Sequence, residues 1–433
     1  MLSALKFRLQ YVLYSVFWLV FSLPLLLYIF FHYRHYPKHS RRIFERFGLC
    51  QKSKKGSPTT WMHLASVGEV KAALPLITQI LNNYPGLNFV FTTSTPSGER
   101  VLKKALGEEI NHSFLPFDLP WSMGAFLKRK NVSGLLLFET EIWPALIFEC
   151  KKRAVSIRLI NARLSENSEK KYAKFLSFSS ILFGNIEHIS AQTESDAKRF
   201  RSLGALFVST VGNLKFDQAV TRVMEVQAER YKSELLDRQF RKIILAASVH
   251  PDEVKKIIGS YVSIKADFSK ILLILAPRHL EKLDQIESIC RSFNITVQRK
   301  SAKKSVDQTI DLLLVDTMGE LLMLCGCADI VIMGGTFIAR GGHNFLEPAA
   351  WGVPIISGES DYNFKAIAQD LVRIGALVQV DRQDLLSREI KRLLEDDALC
   401  TERGESARNY IVGHRGAVGR YLDELKVYLD ALH

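Results

Sequence analysis

The sequence is short of acids and of cysteine. It has 45 Asp and Glu against 58 Lys and Arg, a formal charge of +13 over 433 residues. Such an excess calls for an anionic partner: nucleic acid, a membrane surface or a phosphorylated substrate. The six cysteines are Cys50, Cys150, Cys290, Cys325, Cys327 and Cys400, and none forms a C-x-x-C pair. They read as reduced, mostly buried thiols, which argues against a disulfide framework and against a zinc knuckle. No G-x-x-x-x-G-K-[ST], H-E-x-x-H, Asp-x-Asp or G-x-S-x-G occurs, and the Gly-Gly pairs are not G-x-G-x-x-G. These absences argue against a P-loop NTPase, a metal holding a nucleotide diphosphate, a serine hydrolase elbow and a dinucleotide cofactor. With 47% hydrophobic residues and mean hydropathy near zero, the chain is neither disordered nor a polytopic membrane protein.

The charge is uneven. Residues 1–50 hold Lys6, Arg8, Arg34, Lys38, Arg41, Arg42 and Arg46 against Glu45 alone, a balance of +6. They flank Leu9–Phe31, where only Gln10, Ser15 and Ser22 are polar. As a helix this run reaches roughly 34 Å at ~1.5 Å per residue, enough for a hydrocarbon core. Pro24 is tolerable there, and Tyr11, Tyr14, Tyr28 and Tyr33 suit the interfaces. The run exceeds a signal-peptide core and no A-x-A site follows it. The expectation is an N-terminal membrane helix with the body on the cytoplasmic side; monotopic insertion is the open variant. His32, His35 and His39 read as a solvated interface face.

From about residue 60, short apolar runs alternate with amphipathic stretches. Trp61–Ser66, Phe89–Thr95, Gly134–Thr140, Ser156–Ala162, His188–Thr193 and Phe207–Gly212 read as strands. A polar helical run, Glu225–Arg241, interrupts the pattern. Ile243–Ala247, Ile271–Ala276, Leu312–Asp316, Ile330–Gly334, Pro354–Ser357 and Ala376–Val380 then form a second set. Alternation of this kind predicts an α/β chain of two doubly wound, Rossmann-like domains. Their ligands belong at the carboxyl ends of the strands, in a cleft between facing domains.

Six clusters stand at such ends. Ser66–Glu69 follows the first strand; Glu69 suits a base, and S-x-x-E equally suits a capping box. His63, inside that strand, reads as structural. Glu139-Thr-Glu141-Ile-Trp-Pro144 puts two carboxylates together, so that one has a raised pKa or both complement a helix dipole. Gly212–Asp217 offers Lys215, either for developing negative charge or as an ordinary surface lysine. Pro277-Arg278 sets a guanidinium fork at a strand tip, suited to phosphate or carboxylate. Thr317–Glu320 spells a capping box whose amides also suit a phosphate. Gly334-Gly-Thr336 with Arg340–Pro348 is a Gly-rich loop in which Glu347, about one helical turn in, can bind sugar hydroxyls or merely be capped by Asn344.

In order, Trp61–Glu69, Thr92–Thr95, Glu139–Pro144, Asn161–Ser165, Gly212–Asp217, Ala276–His279, Asp316–Leu321 and Gly341–Pro348 resemble the 3-deoxy-D-manno-octulosonic acid (Kdo) transferases of Gram-negative bacteria. The resemblance spans about residues 5–430, with Phe345 where that family usually has Pro and Thr336 where it usually has Ser. It implies a GT-B fold: an anchor (1–50), an acceptor domain (51–218), a linker (219–240), a CMP-sugar domain (241–410) and a last helix crossing back (411–433). It implies inverting transfer of Kdo from CMP-Kdo to a lipid A precursor at the inner membrane, with no cofactor, no metal and no nucleic acid. Glu69 is then the general base, with Glu139 and Lys215 stabilising the transition state. Pro277, Arg278, Met318, Gly319, Glu320, Asn344, Phe345, Leu346 and Glu347 contact CMP. Lys128–Lys130, and Lys170, Lys171 and Lys174 with Phe175, Leu176 and Phe178, suit either a lipid-guiding surface or plain solvated helix faces. A UDP-sugar transferase and an inactive binding module are the competing readings.

Overall fold

The computed structural model describes residues 2–33, 42–53, 58–217, 220–238, 240–268, 270–302 and 305–432. Arg34, Lys38, Arg41, His35 and His39, part of the expected basic flank, lie outside them. The chain divides into two compact units, Met1–Gln218 with Gly416–His433, and Ala219–Arg415.

The first unit holds a parallel sheet of β1 (Thr59–His63), β2 (Phe89–Thr93), β3 (His112–Phe114), β4 (Val132–Phe138), β5 (Ser156–Ala162), β6 (His188–Ala191) and β7 (Val208–Thr210). Their order is β3-β2-β1-β4-β5-β6-β7. Trp61, Leu135 and Leu137 enter the core on one face; Met62, Leu136 and Phe138 enter the other. Burial on both faces explains why the strands read as unbroken apolar runs. The order reverses between β1 and β4, which pair in parallel with His63 opposite Leu137. A doubly wound sheet opens a crevice at such a switch point. Glu69 and Glu139 follow those two strands.

The second unit repeats the plan with β8 (Lys242–Val249), β9 (Ile271–Pro277), β10 (Val297–Arg299), β11 (Leu312–Leu314), β12 (Ile330–Met333), β13 (Ile355–Ser357) and β14 (Leu377–Gln379). Its order is β10-β11-β9-β8-β12-β13-β14, so the switch point lies between β8 and β12. Arg222–Asp237, set aside in the sequence as linker, is a helix of this unit that packs against helix Leu321–Cys327 and buries Ala228 and Leu235.

Three expectations change. The N-terminal segment is one helix, Leu2–Tyr33, but among the described residues no helix is long and apolar enough to cross a membrane. Instead of standing alone, it lies on the first unit. Tyr11 packs edge-on against Phe148, and the Tyr14 hydroxyl donates to buried Asp118 at 2.6 Å. Lys130, assigned to a surface basic cluster, is buried and donates to Asn111 Oδ1 at 2.9 Å. Thr317 and Glu320 form no capping box. Helix Leu321–Cys327 starts one residue after Glu320, which occupies the N-cap position itself.

The last helix, Ala417–Asp430, fills one face of the first unit's core with Val418, Tyr421, Leu425 and Leu429. Asp217 caps it, accepting from the amides of Gly416 (2.7 Å) and Val418 (2.5 Å). The Tyr421 hydroxyl accepts from the Asn161 amide at 3.0 Å and faces the carbonyls of Ser190 and Gly212. Tyr421→Phe strands that buried amide. Chemical denaturation should show the first unit destabilised by about 1–3 kcal/mol.

Candidate active site

At the end of β1 the chain turns into helix Val67–Asn83 with Ser66 as N-cap. Ser66 Oγ accepts from the Glu69 amide at 3.3 Å and donates to Glu69 Oε1 at 3.1 Å; Glu69 Oε2 accepts from the Ala65 amide at 2.8 Å. Ser66 is the N-cap that S-x-x-E predicts, but Glu69 returns to the Ala65 amide and not to that of Ser66, so no reciprocal box closes and the carboxylate is held over the strand end. Burial pushes the Glu69 carboxyl up to about 7, and the Glu139 and Glu141 charges add to it against the Ala65 amide.

Glu139 follows β4 with φ of +55°, a left-handed conformation rare outside glycine that stores strain at a functional turn. Its Oε1 lies 2.7 Å from Lys215 Nζ. Lys215 is delivered by the short turn Leu214–Asp217 after β7. Asn161 fixes that turn: its Oδ1 accepts from the Leu214 amide at 3.0 Å, and its Nδ2 reaches Glu139 Oε1 at 3.5 Å. Glu141 accepts from Trp143 Nε1 at 2.7 Å and meets His63 Nε2 at 3.3 Å. Burial works against its ionisation, but these two partners hold it below the usual carboxylate range.

The first unit thus gathers Glu69, Glu139 and Lys215 from three chain segments. It also recruits Asn161 and Glu141. Asn161 was legible only as part of a strand-end motif, without a role. His63 is fully buried and touches Glu141, so it orients a site carboxylate as well as filling the strand.

The remaining candidates lie in the second unit. Pro277 ends β9, and the exposed Arg278 follows, its amide bonded to Val249 O at 2.9 Å. After the switch-point strand β12, the Gly335 amide donates to buried Glu253 at 2.6 Å, as the His250 amide does at 2.8 Å. His343 from the Gly-rich loop stacks on His250, with the two Nε2 atoms 3.1 Å apart. Burial, together with the charge of Arg278, pushes His343 down to about 4, so it is neutral at pH 7. Met318 is exposed, Gly319 is left-handed, and Glu320 pairs with Lys300 at 2.8 Å. Asn344 Oδ1 accepts from the Leu346 amide at 3.2 Å, and its Nδ2 donates to Glu347 at 3.2 Å. Helix Leu346–Trp351 makes Glu347 its second residue, earlier than one turn in. Phe345 and Leu346 are buried core residues, so their side chains support the loop. Among the described residues no group of three or more His, Cys, Asp or Glu is arranged to hold a metal ion.

The Glu139 charge raises Glu69, so Glu139→Gln should bring the Glu69 carboxyl back toward its ordinary value. Carboxyl 13C NMR titration of the two proteins reads the shift. A raised carboxyl also opposes folding once it ionises. Its favourable neutral form is lost as pH rises from about 4.5 to about 7. Glu69→Gln should therefore be more stable than the parent at pH 8 and indistinguishable from it at pH 4, measured by thermal unfolding.

Residues 41–218 match the model of the 3-deoxy-D-manno-octulosonic-acid transferase (kdotransferase) family, and residues 295–410 match that of glycosyl transferases group 1. A 3-deoxy-D-manno-octulosonic acid transferase of Haemophilus influenzae is 33% identical over 91% of this chain and 93% of its own. That of Bordetella pertussis is 31% identical over 89% and 91%. Among solved structures, a glycosyltransferase from Rickettsia africae aligns with a TM-score of 0.55 at 13% identity over 87% of this chain and 99% of that one. The UDP-GlcNAc 2-epimerase of Neisseria meningitidis aligns with 0.58 at 14% identity over 85% and 99%. These structural likenesses carry the fold, an α/β chain of GT-B type. Similarity to the transferases across nine-tenths of the length, with their motifs at the strand ends, assigns the chain to the Kdo transferase family of glycosyltransferases.

Proposed function

We propose that the chain transfers Kdo from CMP-Kdo to a hydroxyl of a lipid A precursor, with inversion, and that Glu69 is the general base. One observation carries the reading: a carboxyl pushed to about 7 stands beside a lysine–carboxylate pair. A base that titrates near the working pH is ionised when needed and still basic enough to accept a proton. Glu69 takes the acceptor hydroxyl proton as the oxygen attacks the anomeric carbon. The bond to the CMP phosphate breaks, and CMP leaves with the electron pair. A single displacement of this kind inverts the centre. Lys215, fixed by Glu139, offers a positive charge to the Kdo carboxylate. Arg278 is a bidentate donor for the single phosphate of CMP, and that phosphate chemistry requires no bound metal. Glu320, Asn344 and Glu347 supply polar contacts to the nucleotide, while Pro277, Met318 and Gly319 shape the backbone around it.

We place this activity at the cytoplasmic face of the inner membrane. The outward side of the N-terminal helix exposes Val12, Leu13, Val16, Phe17 and Val20. It packs beside helix Leu176–Gly184, which presents Phe175 and Leu176 next to the exposed Lys170, Lys171 and Lys174. Apolar residues with lysines around them suit the surface of an anionic bilayer. A docked helix with an apolar outward side takes the place of the spanning helix expected from composition.

Purified full-length protein in detergent, given a tetraacylated lipid A precursor, should turn over with CMP-Kdo and not with UDP-sugars, and mass spectrometry of the lipid counts the residues added. Glu69→Gln should lower kcat by roughly 10²–10⁴-fold. The rate of the parent should rise with pH through about 7. Turnover with a UDP-sugar alone, or an active Glu69→Gln protein, overturns the reading.

A further inference from the structure

We infer that the N-terminal helix positions the carboxylate site: Trp18, through the Trp143 ring, keeps the Trp143 indole N–H on Glu141. The inference rests on Glu69 as the base of the proposed reaction, because Glu141 acts through it.

The inward face of the helix is built for more than adhesion. Tyr14 donates to Asp118 at 2.6 Å. Asp118 is buried and also accepts from the amides of Ala145 (2.9 Å) and Leu146 (2.8 Å), in the first turn of helix Pro144–Lys152. One turn along, Trp18 meets the ring of Trp143 edge-on, with centroids 5.9 Å apart at 66°. Trp143 is the N-cap residue of that same helix. Tyr14, through Asp118, and Trp18, through Trp143, four residues apart on one face, therefore both bear on one helix start. That start immediately follows Glu139-Thr140-Glu141.

From Trp143 the contacts run inward. Its indole N–H donates to Glu141 at 2.7 Å, Glu141 meets His63 Nε2 at 3.3 Å, and His63 Nδ1 meets Thr92 Oγ1 at 2.8 Å. Thr92 sits inside β2, so this end of the series is fixed by the sheet. The other end is held by helix Pro144–Lys152, by the core that Trp143 packs against and by the ring of Trp18. The titratable and charged groups facing Glu141 and Glu69 are Glu139, paired with Lys215, together with His63 and Tyr172. A simple anchor needs apolar residues and nothing else. Val12, Val16 and Val20, all at least half exposed, meet that need on the opposite face.

The geometry separates two effects. Without the Trp18 ring, Trp143 loses one of the contacts that aim its indole at Glu141, and Glu141 is held less firmly at the site. Its charge then acts less on Glu69, which ionises more easily. The acid limb of the rate profile moves to lower pH, and kcat falls by about 10- to 100-fold through misplacement of the site.

The test uses full-length Trp18→Ala and Trp18→Phe proteins carrying 15N-indole tryptophan, with Trp143→Phe assigning the resonance. In the parent and in Trp18→Phe, the Trp143 indole proton should be hydrogen-bonded and protected from exchange, and the acid limb should stand near 7. In Trp18→Ala the proton should move upfield and lose protection, and the limb should move to lower pH. Val20→Ser, on the outward face, should weaken binding to phosphatidylglycerol vesicles while leaving the Trp143 signal unchanged. If Trp18→Ala does not fold, Trp18→Leu, which keeps apolar bulk but removes the ring, reads the same resonance. An unmoved indole proton, or lost activity with an unmoved limb, overturns the inference. A parent inactive with CMP-Kdo defeats the proposed reaction instead, and the indole signal still reports on the contact.

Discussion

The first unit's site depends on holding three carboxylates together at one switch point. Each has a partner of a different kind. Glu139 has a lysine at 2.7 Å, Glu141 has an indole and an imidazole, and Glu69, among the described residues, has the Ser66 hydroxyl and the Ala65 amide. Like charges gathered in a partly buried place cannot all ionise cheaply, so the least supported of them keeps its proton longest. That carboxyl is Glu69. The raised Glu69 carboxyl arises from burial and from unequal distribution of counter-charge among neighbours, and a cation beside Glu69 would lower it.

The supporting residues follow from this. Asn161 ties the Lys215 turn to β5 and, through its own amide, to Tyr421. Its left-handed backbone, like that of Glu139, is maintained because several hydrogen bonds fix it at once. The second unit uses the same device in simpler form. Buried Glu253 collects the amides of His250 and Gly335 and so sets the two loops that flank its switch point.

Much of this was legible in the sequence because parallel strands buried on both faces are unbroken apolar runs. Ser156–Ala162 was read to the residue. Glu69, Glu139, Lys215 and Arg278 were singled out by the simple rule that ligands bind where such runs stop, and each stands just past a strand. What escaped was of two sorts. The strands His112–Phe114 and Val297–Arg299 are three residues long, lie at sheet edges and pair on one side only, so they leave too short a pattern. The other sort depends on orientation. Nothing in the pattern distinguishes a threonine that caps a helix three residues before a glutamate from one that, like Thr317, merely touches the glutamate. Nor does composition reveal that Phe345 and Leu346 turn into the core while Asn344 and Glu347 stay partly open. The apolar run 9–31 reads as lipid-facing all round, whereas tertiary contacts reserve one side of it for Asp118, Phe148 and Trp143.

The last helix also bears on how the protein is made. Residues 417–430 cover a core face of the first unit, and Asp217 waits to cap them. On the ribosome they emerge only after every residue of the second unit. The second unit can therefore close while the first, already translated, still exposes Leu76, Ile77 and Phe138 along an unfilled face. The order of completion is the reverse of the order of synthesis, and the first unit passes that interval with an apolar surface that chaperones recognise.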